Sequence, residues 1–275
     1  MERKIIRTDK YPQLSYTVHG TGSPLLLLHG FPLDGSIWDK VVPELANDYM
    51  VIVPDMPGSG ESTFAGEELS VEEMAEGVKL ILDNEGINSA IIAGHSMGGY
   101  VALAFAELYP GQMKGLGLIH SFAKADTEEK KEQRRKSIEL FKKGGKEAFI
   151  RQMIPVLFSP ASKSRCSEEI KVLTDRALLT ENKSLIAFYN AMINRPDRIA
   201  ILKNSEVPVL WVIGADDTIA SPENLIQQTS LANVNFVYTC NGCGHMSMIE
   251  SPKELTGYLI SFAAYSYGDA KTDEK

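Results

Sequence analysis

The chain has 275 residues, 44% of them hydrophobic and 23% charged, with a formal net charge of -8. This is the composition of an ordinary globular protein that can bury its own core, and its acidity excludes general nucleic-acid binding, which needs a basic footprint. Cys166, Cys240 and Cys243 are too few for a disulfide framework, the opening MERKIIRTDKYPQ has no signal-peptide core, and no run of 18 apolar residues occurs, so the expectation is a soluble, cytoplasmic protein without membrane association.

In chain order, the first legible strands are PLLLLHG at 24–30 and YMVIVPD at 49–55, short apolar runs of the kind a sheet buries on both faces. Between them, SIWDKVVPELA repeats apolar residues at Ile37, Val41, Val42 and Leu45, which predicts a helix. LSVEEMAEGVKLILDNEG at 69–86 predicts another, with a capping box in Ser70 and Glu73 and a stop at Gly86. SAIIAG then predicts a strand, MGGYVALAFAELYP a helix and KGLGLIH a strand. From Phe122 to about Ser205 strands disappear and charged helical patterns take over. Alternation resumes with the strand VPVLWVIGADD, the helix SPENLIQQTSLA, the strand VNFVYTC and the helix SPKELTGYLISFAAY, both helices opening on Ser-Pro. The closing GDAKTDEK reads as a polar tail.

Strand–helix alternation of this kind predicts an α/β fold, a mostly parallel central sheet with helices on both faces. The division follows: a core of residues 1–121 and 206–275, and an all-helical insertion of residues 122–205. An insertion there would cover the carboxyl edge of the sheet, where open α/β sheets bind ligands. The insertion carries a formal charge of +7 against -15 for the rest of the chain.

The sequence AGHSMGG places Ser96 in a tight turn between a strand and a helix. Serine is a poor choice for either element, and glycines two residues to each side permit a close backbone approach that a side chain would prevent. The hydroxyl then stands at the sheet's carboxyl edge, beside the Met97 amide at a positive helix N-terminus. A serine nucleophile needs a base, and His19, His29, His95, His120 and His245 are available. His245 lies in a loop between the last strand and the last helix, at that same edge. The base needs an acid to orient it, and Asp216 and Asp217 both follow another strand's carboxyl end.

The segments HGFPLDGSIW, DMPGSGES, GHSMGG, PVLWVIGADD and GCGHMSMIESP, in this order, resemble the α/β-hydrolase fold family over nearly the whole chain. By that resemblance the catalytic residues are Ser96 as nucleophile, Asp217 as acid and His245 as base. The oxyanion donors it implies are the backbone amides of Phe31 and Met97, and DMPGSGES is a structural turn. The resemblance implies a cofactor-free serine hydrolase of small to medium carboxylic esters, carboxylesterase-like, with a helical cap. Its alternatives are a thioesterase or carrier-protein ester hydrolase, or an enol-lactonase, C–C hydrolase or menaquinone-pathway lyase of the same fold; perhydrolase activity and a triad-bearing receptor are more distant. A serine at position 96 argues against the dehalogenases and epoxide hydrolases of the family, which use aspartate there.

The pocket is expected to involve Phe31, His120 and Phe158, with some of the apolar set Phe149, Met153, Ile154, Val156, Leu157 and Phe158 roofing it. His29 and His95 flank the key positions and read as packing or supporting residues. Cys240, Cys243 and His245 lack a fourth ligand for zinc, so plain loop cysteines and no metal are expected. The partner implied is a small-molecule ester. The basic run at 130–146 reads first as a solvated face and second as an attractor for an acidic carrier or acid substrate.

Overall fold

The structure is a computed structural model describing residues 2–268; the polar tail, apart from Gly268, lies outside the described residues. Its elements in chain order begin with strands β1 (Glu2–Ile6), β2 (Leu14–His19) and β3 (Ser23–Leu28), helix α1 (Val42–Leu45) and strand β4 (Tyr49–Pro54). Helix α2 (Val71–Asn84), strand β5 (Ala90–His95), helix α3 (Met97–Leu108) and strand β6 (Met113–Ile119) follow. Five helices come next: α4 (Glu128–Lys142), α5 (Lys146–Val156), α6 (Ser167–Leu179), α7 (Asn182–Asn194) and α8 (Ile199–Lys203). The chain closes with β7 (Val209–Gly214), α9 (Pro222–Ile226), β8 (Asn235–Cys240), α10 (Ser247–Glu250) and α11 (Pro252–Tyr267).

All eight strands form one sheet in the order β1-β2-β4-β3-β5-β6-β7-β8. The first two pairings, β1 with β2 and β2 with β4, are antiparallel, and every other pairing is parallel. Leu25–Leu28 in β3 and Ala90–Ala93 in β5 are fully buried, as consecutive residues are only when both faces of a sheet are covered. Helices α2 and α3 pack together, α3 lying on β5 and β6, while α11 packs with α1, β6 and β8. No helix among the described residues is long and apolar enough to cross a membrane.

Several elements differ from the sequence expectations. Two strands precede the first legible one: β1, ERKII, is a charged edge strand, so it lacks the apolar run that marks a buried strand. The helix expected over 36–46 is a 3-10 turn at Gly35–Trp38 followed by the single-turn α1, because Asp34 caps the first piece and Pro43 starts the second. The helix expected over 221–232 stops at Ile226. The long α2 keeps its Ser70–Glu73 capping box, both halves of which are formed.

Candidate active site

Ser96 sits between β5 and α3 with φ 50°, a left-handed conformation unusual for a side chain larger than glycine. Its amide donates to the Ile119 carbonyl of β6 at 2.9 Å, and its carbonyl accepts from the Gly99 amide and the Ser121 hydroxyl. The turn admits no bulk: a Cβ on Gly94 would lie 2.1 Å from the Gly98 oxygen, and one on Gly98 2.6 Å from the Leu28 oxygen. Serine ahead of a helix commonly caps it, yet the Ser96 side chain makes no capping hydrogen bond. The hydroxyl faces a cavity instead.

That cavity has a volume of about 170 Å³ and also carries His245 on its wall. His245 Nδ1 lies 2.7 Å from Asp217 Oδ2, with both side chains buried. Asp217 follows β7 and accepts the Ile219 and Ala220 amides on its other oxygen at 2.8 and 2.9 Å. Burial alone would raise the Asp217 pKa, but attraction to His245 and hydrogen bonds from His120 and His245 overcome it and hold the carboxyl well below the ordinary carboxylate range. An ionised Asp217 fixes the proton of His245 on Nδ1 and leaves Nε2 with a free lone pair. Asp216, the alternative acid, is exposed.

His120 is a second histidine on the same carboxylate, with Nδ1 3.0 Å from Asp217 Oδ2 and Nε2 2.8 Å from the Ser247 hydroxyl. It was expected only as a pocket residue, and it does line the cavity. Burial lowers its pKa despite the Asp217 hydrogen bond. The neutral ring thus donates from Nδ1 and accepts at Nε2, and like Ser96 it has φ 50°. His95 supports His245 from behind: its Nε2 donates to the His245 carbonyl at 2.8 Å. His29 Nε2 meets the Met56 amide and the Ser59 hydroxyl, tying the loop after β3 to the DMPGSGES turn.

The His245 loop is anchored by Glu250, which sequence reasoning passes over. This buried carboxylate accepts the amides of Gly244, Met246 and Ser159, and the Ser162 hydroxyl as well. Ser159 and Ser162 lie beyond α5, so one side chain joins the loop to the helices between β6 and β7. The His245 amide adds a bond to the Leu157 carbonyl at 2.7 Å.

Phe31 lines the cavity and stacks on Tyr189 of α7 with ring centroids 4.5 Å apart. Among the described residues neither the Phe31 nor the Met97 amide is taken up by a turn or side-chain hydrogen bond. Phe158, expected in the pocket, is buried at 2% and does not line it. Its neighbour Leu157, which caps α5, faces the cavity instead. Met153 joins it there. A larger cavity of about 350 Å³ near Arg3, Asp55 and Arg176 is walled by mutually paired charges, Arg176 with Asp34 and Arg3 with Glu61, and holds no such serine–histidine pair.

Among the described residues, His120, Asp217 and His245 are the one group that brings three metal-type ligand atoms together, within 4.8 Å. Their facing atoms are already matched, two ring donors to one carboxylate oxygen. Cys240 and Cys243 are free and buried, and Cys243 donates to the Ser251 hydroxyl.

A mostly parallel sheet with a serine elbow after its fifth strand, an acid after the seventh and a histidine after the eighth defines the class. The pattern of the alpha/beta hydrolase fold family matches residues 23–159. A thermophilic esterase from Thermogutta terrifontis, solved with malate bound, is 30% identical and superposes with a TM-score of 0.91 over 97% of this chain and 99% of that one. The chain belongs to the alpha/beta hydrolase fold family and is a hydrolase. A pyrrolizixenacetamide deacetylase from Xenorhabdus hominickii is 27% identical over 91% of this chain and 94% of its own. An enol-lactonase from Burkholderia xenovorans shares the fold, with a TM-score of 0.84 at 21% identity over 91% of this chain and 96% of that one.

Proposed function

We propose that the protein hydrolyses small carboxylic esters through an acyl-enzyme on Ser96. The observation that carries this reading is the unbonded Ser96 hydroxyl on a left-handed turn, facing the same cavity as a histidine whose other nitrogen is held by Asp217. His245 Nε2 takes the hydroxyl proton as Ser96 Oγ bonds to the acyl carbon. The charge that develops on the carbonyl oxygen is met by the Phe31 and Met97 amides, each such donor contributing roughly 2.7–4 kcal/mol to the transition state. The bond to the leaving alkoxide then breaks, and His245 returns its proton to that oxygen. Water repeats the sequence, releasing the acid and restoring Ser96.

Helices α4 to α8 act here as the cap, within residues 122–205. The cavity beneath them is small, about 170 Å³, against roughly 300–1,000 Å³ for sites that take drug-sized ligands. That size favours short acyl chains. The test is turnover of p-nitrophenyl esters and acyl-CoA thioesters of two to twelve carbons by the protein and its Ser96→Ala variant. The expected result is an ester preference peaking at short chains, with a loss of about 10⁶ in kcat in the variant. A dominant thioester preference, or turnover that survives in Ser96→Ala, would overturn it.

A further inference from the structure

Two cations of α4, Lys130 and Arg134, lie on the wall of the same small cavity as Ser96 and His245. They face inward, unlike Lys136 of the same helix, which is exposed and also has no carboxylate partner among the described residues. On its outer side Lys131, Arg135 and Lys142 are paired with Glu128, Glu132 and Glu139 one turn away. On the inner side Arg134 binds Asp126 through Nε at 2.6 Å, and the same carboxylate is claimed at 2.9 Å by the buried Arg195. Lys130 has no carboxylate partner among the described residues, although it is only partly exposed. Asp126 thus stands alone against three cations. Burial and the neighbouring Arg134 lower the Lys130 pKa, with Asp126 opposing them, as for an ammonium short of counter-charge. Phe31, Leu157 and Met153 surround the space between these cations and Ser96. In an apolar enclosure an anion is drawn to a cation more strongly than in water, and an unpaired buried charge is costly until it is matched.

We infer that Lys130 and Arg134 form a subsite for a carboxylate carried by the substrate, so that the preferred esters are half-esters of short dicarboxylic acids. The inference rests on the ester-hydrolase reading and specifies its substrate. Both groups are positioned by one helix face four residues apart, and the cavity leaves room for only a short chain between them and the Ser96 hydroxyl.

The experiment compares kcat/KM for monomethyl glutarate, the neutral methyl pentanoate, and O-acetylglycolate, which carries its carboxylate on the alcohol side. It uses the intact protein and its Lys130→Met and Arg134→Lys variants. The expected result is a preference of about tenfold or more for monomethyl glutarate over methyl pentanoate, cut by a similar factor in Lys130→Met chiefly through KM. A preference for O-acetylglycolate with the same Lys130 dependence would keep the subsite but overturn the half-ester assignment, placing the acid on the alcohol side. Turnover of methyl pentanoate with no preference for either acid, and an unchanged ratio in Lys130→Met, would overturn it. Glutarate binding to the Ser96→Ala protein, measured by calorimetry, is independent of turnover: the subsite requires binding that weakens about tenfold in the added Lys130→Met background. Absence of binding would overturn the subsite, whereas binding without ester turnover by the intact protein would remove the ester reading alone.

Discussion

Asp217 accepts four hydrogen bonds, two from histidine rings and two from backbone amides, and each favours its ionised form. Removing its charge while keeping its shape, in Asp217→Asn, is expected to lower kcat by about 10⁴ through loss of the correct His245 tautomer. The adjacent Asp216→Asn should leave the rate near that of the parent. On the proposed mechanism His120 acts through Asp217, as a positioning residue. His120→Leu deletes one donor and the Ser247 contact, so kcat is expected to fall about tenfold, the lower end of the range for groups that orient a catalytic side chain. KM should move little, and a loss appearing wholly in KM would show that His120 serves the pocket instead. The sequence marked Ser96 and His245 by their turn and loop. It placed His120 at the pocket but could not mark its contact with Asp217, because ending a strand says which edge a ring occupies and nothing of the carboxylate it meets.

At the scale of elements, legibility followed local chemistry. Helix α2 was readable to the residue because its cap is written in the sequence, and Ser70→Ala is expected to cost about 1 kcal/mol. That corresponds to a fall of about 2 °C or more in Tm, measurable by calorimetry. The strands β3 to β8 were readable as apolar runs, while β1 was not, since an exposed edge tolerates Arg3 and Lys4, nor β2, whose LSYTVH interleaves Ser15, Thr17 and His19 with its apolar residues. Helix α4 shows the opposite failure. Its charge run reads as a solvated face, yet Lys130 and Arg134 precede the buried Ile138 at four-residue spacing and share its inward stripe. Glu250 is the joint between two elements. Glu250→Gln would replace an acceptor of several amides by a group that also donates, and the expected result is a loss of roughly 2 kcal/mol of stability together with reduced kcat.

Taken as one body, the molecule buries His29, His95 and His120 in their neutral forms, burial being the first cause of the lowered pKa in each. A lowered histidine pKa means that the unfolded chain binds more protons than the folded one below the ordinary value of about 6.5. Stability from this source is therefore complete above pH 6.5 and is lost as pH falls toward the folded values. Each such proton steepens the fall by about 1.4 kcal/mol per pH unit. Denaturant unfolding at pH 7.5 and pH 5.5 should show the decline, reduced in a His29→Gln variant compared with itself across the same interval.

The helices inserted between β6 and β7 also impose an order on biosynthesis. The serine elbow and the inner parallel strands β3 to β6 are complete before any residue of the insertion leaves the ribosome, and Asp217 and His245 come after it. At about 5–20 residues per second, the interval between Ser96 and His245 is about 7 to 30 seconds. Throughout it, the nascent chain holds Ser96 without His245. On the proposed mechanism the hydrolase becomes reactive only when β7 and β8 join the six strands already made, so nascent fragments would carry Ser96 in an unarmed form.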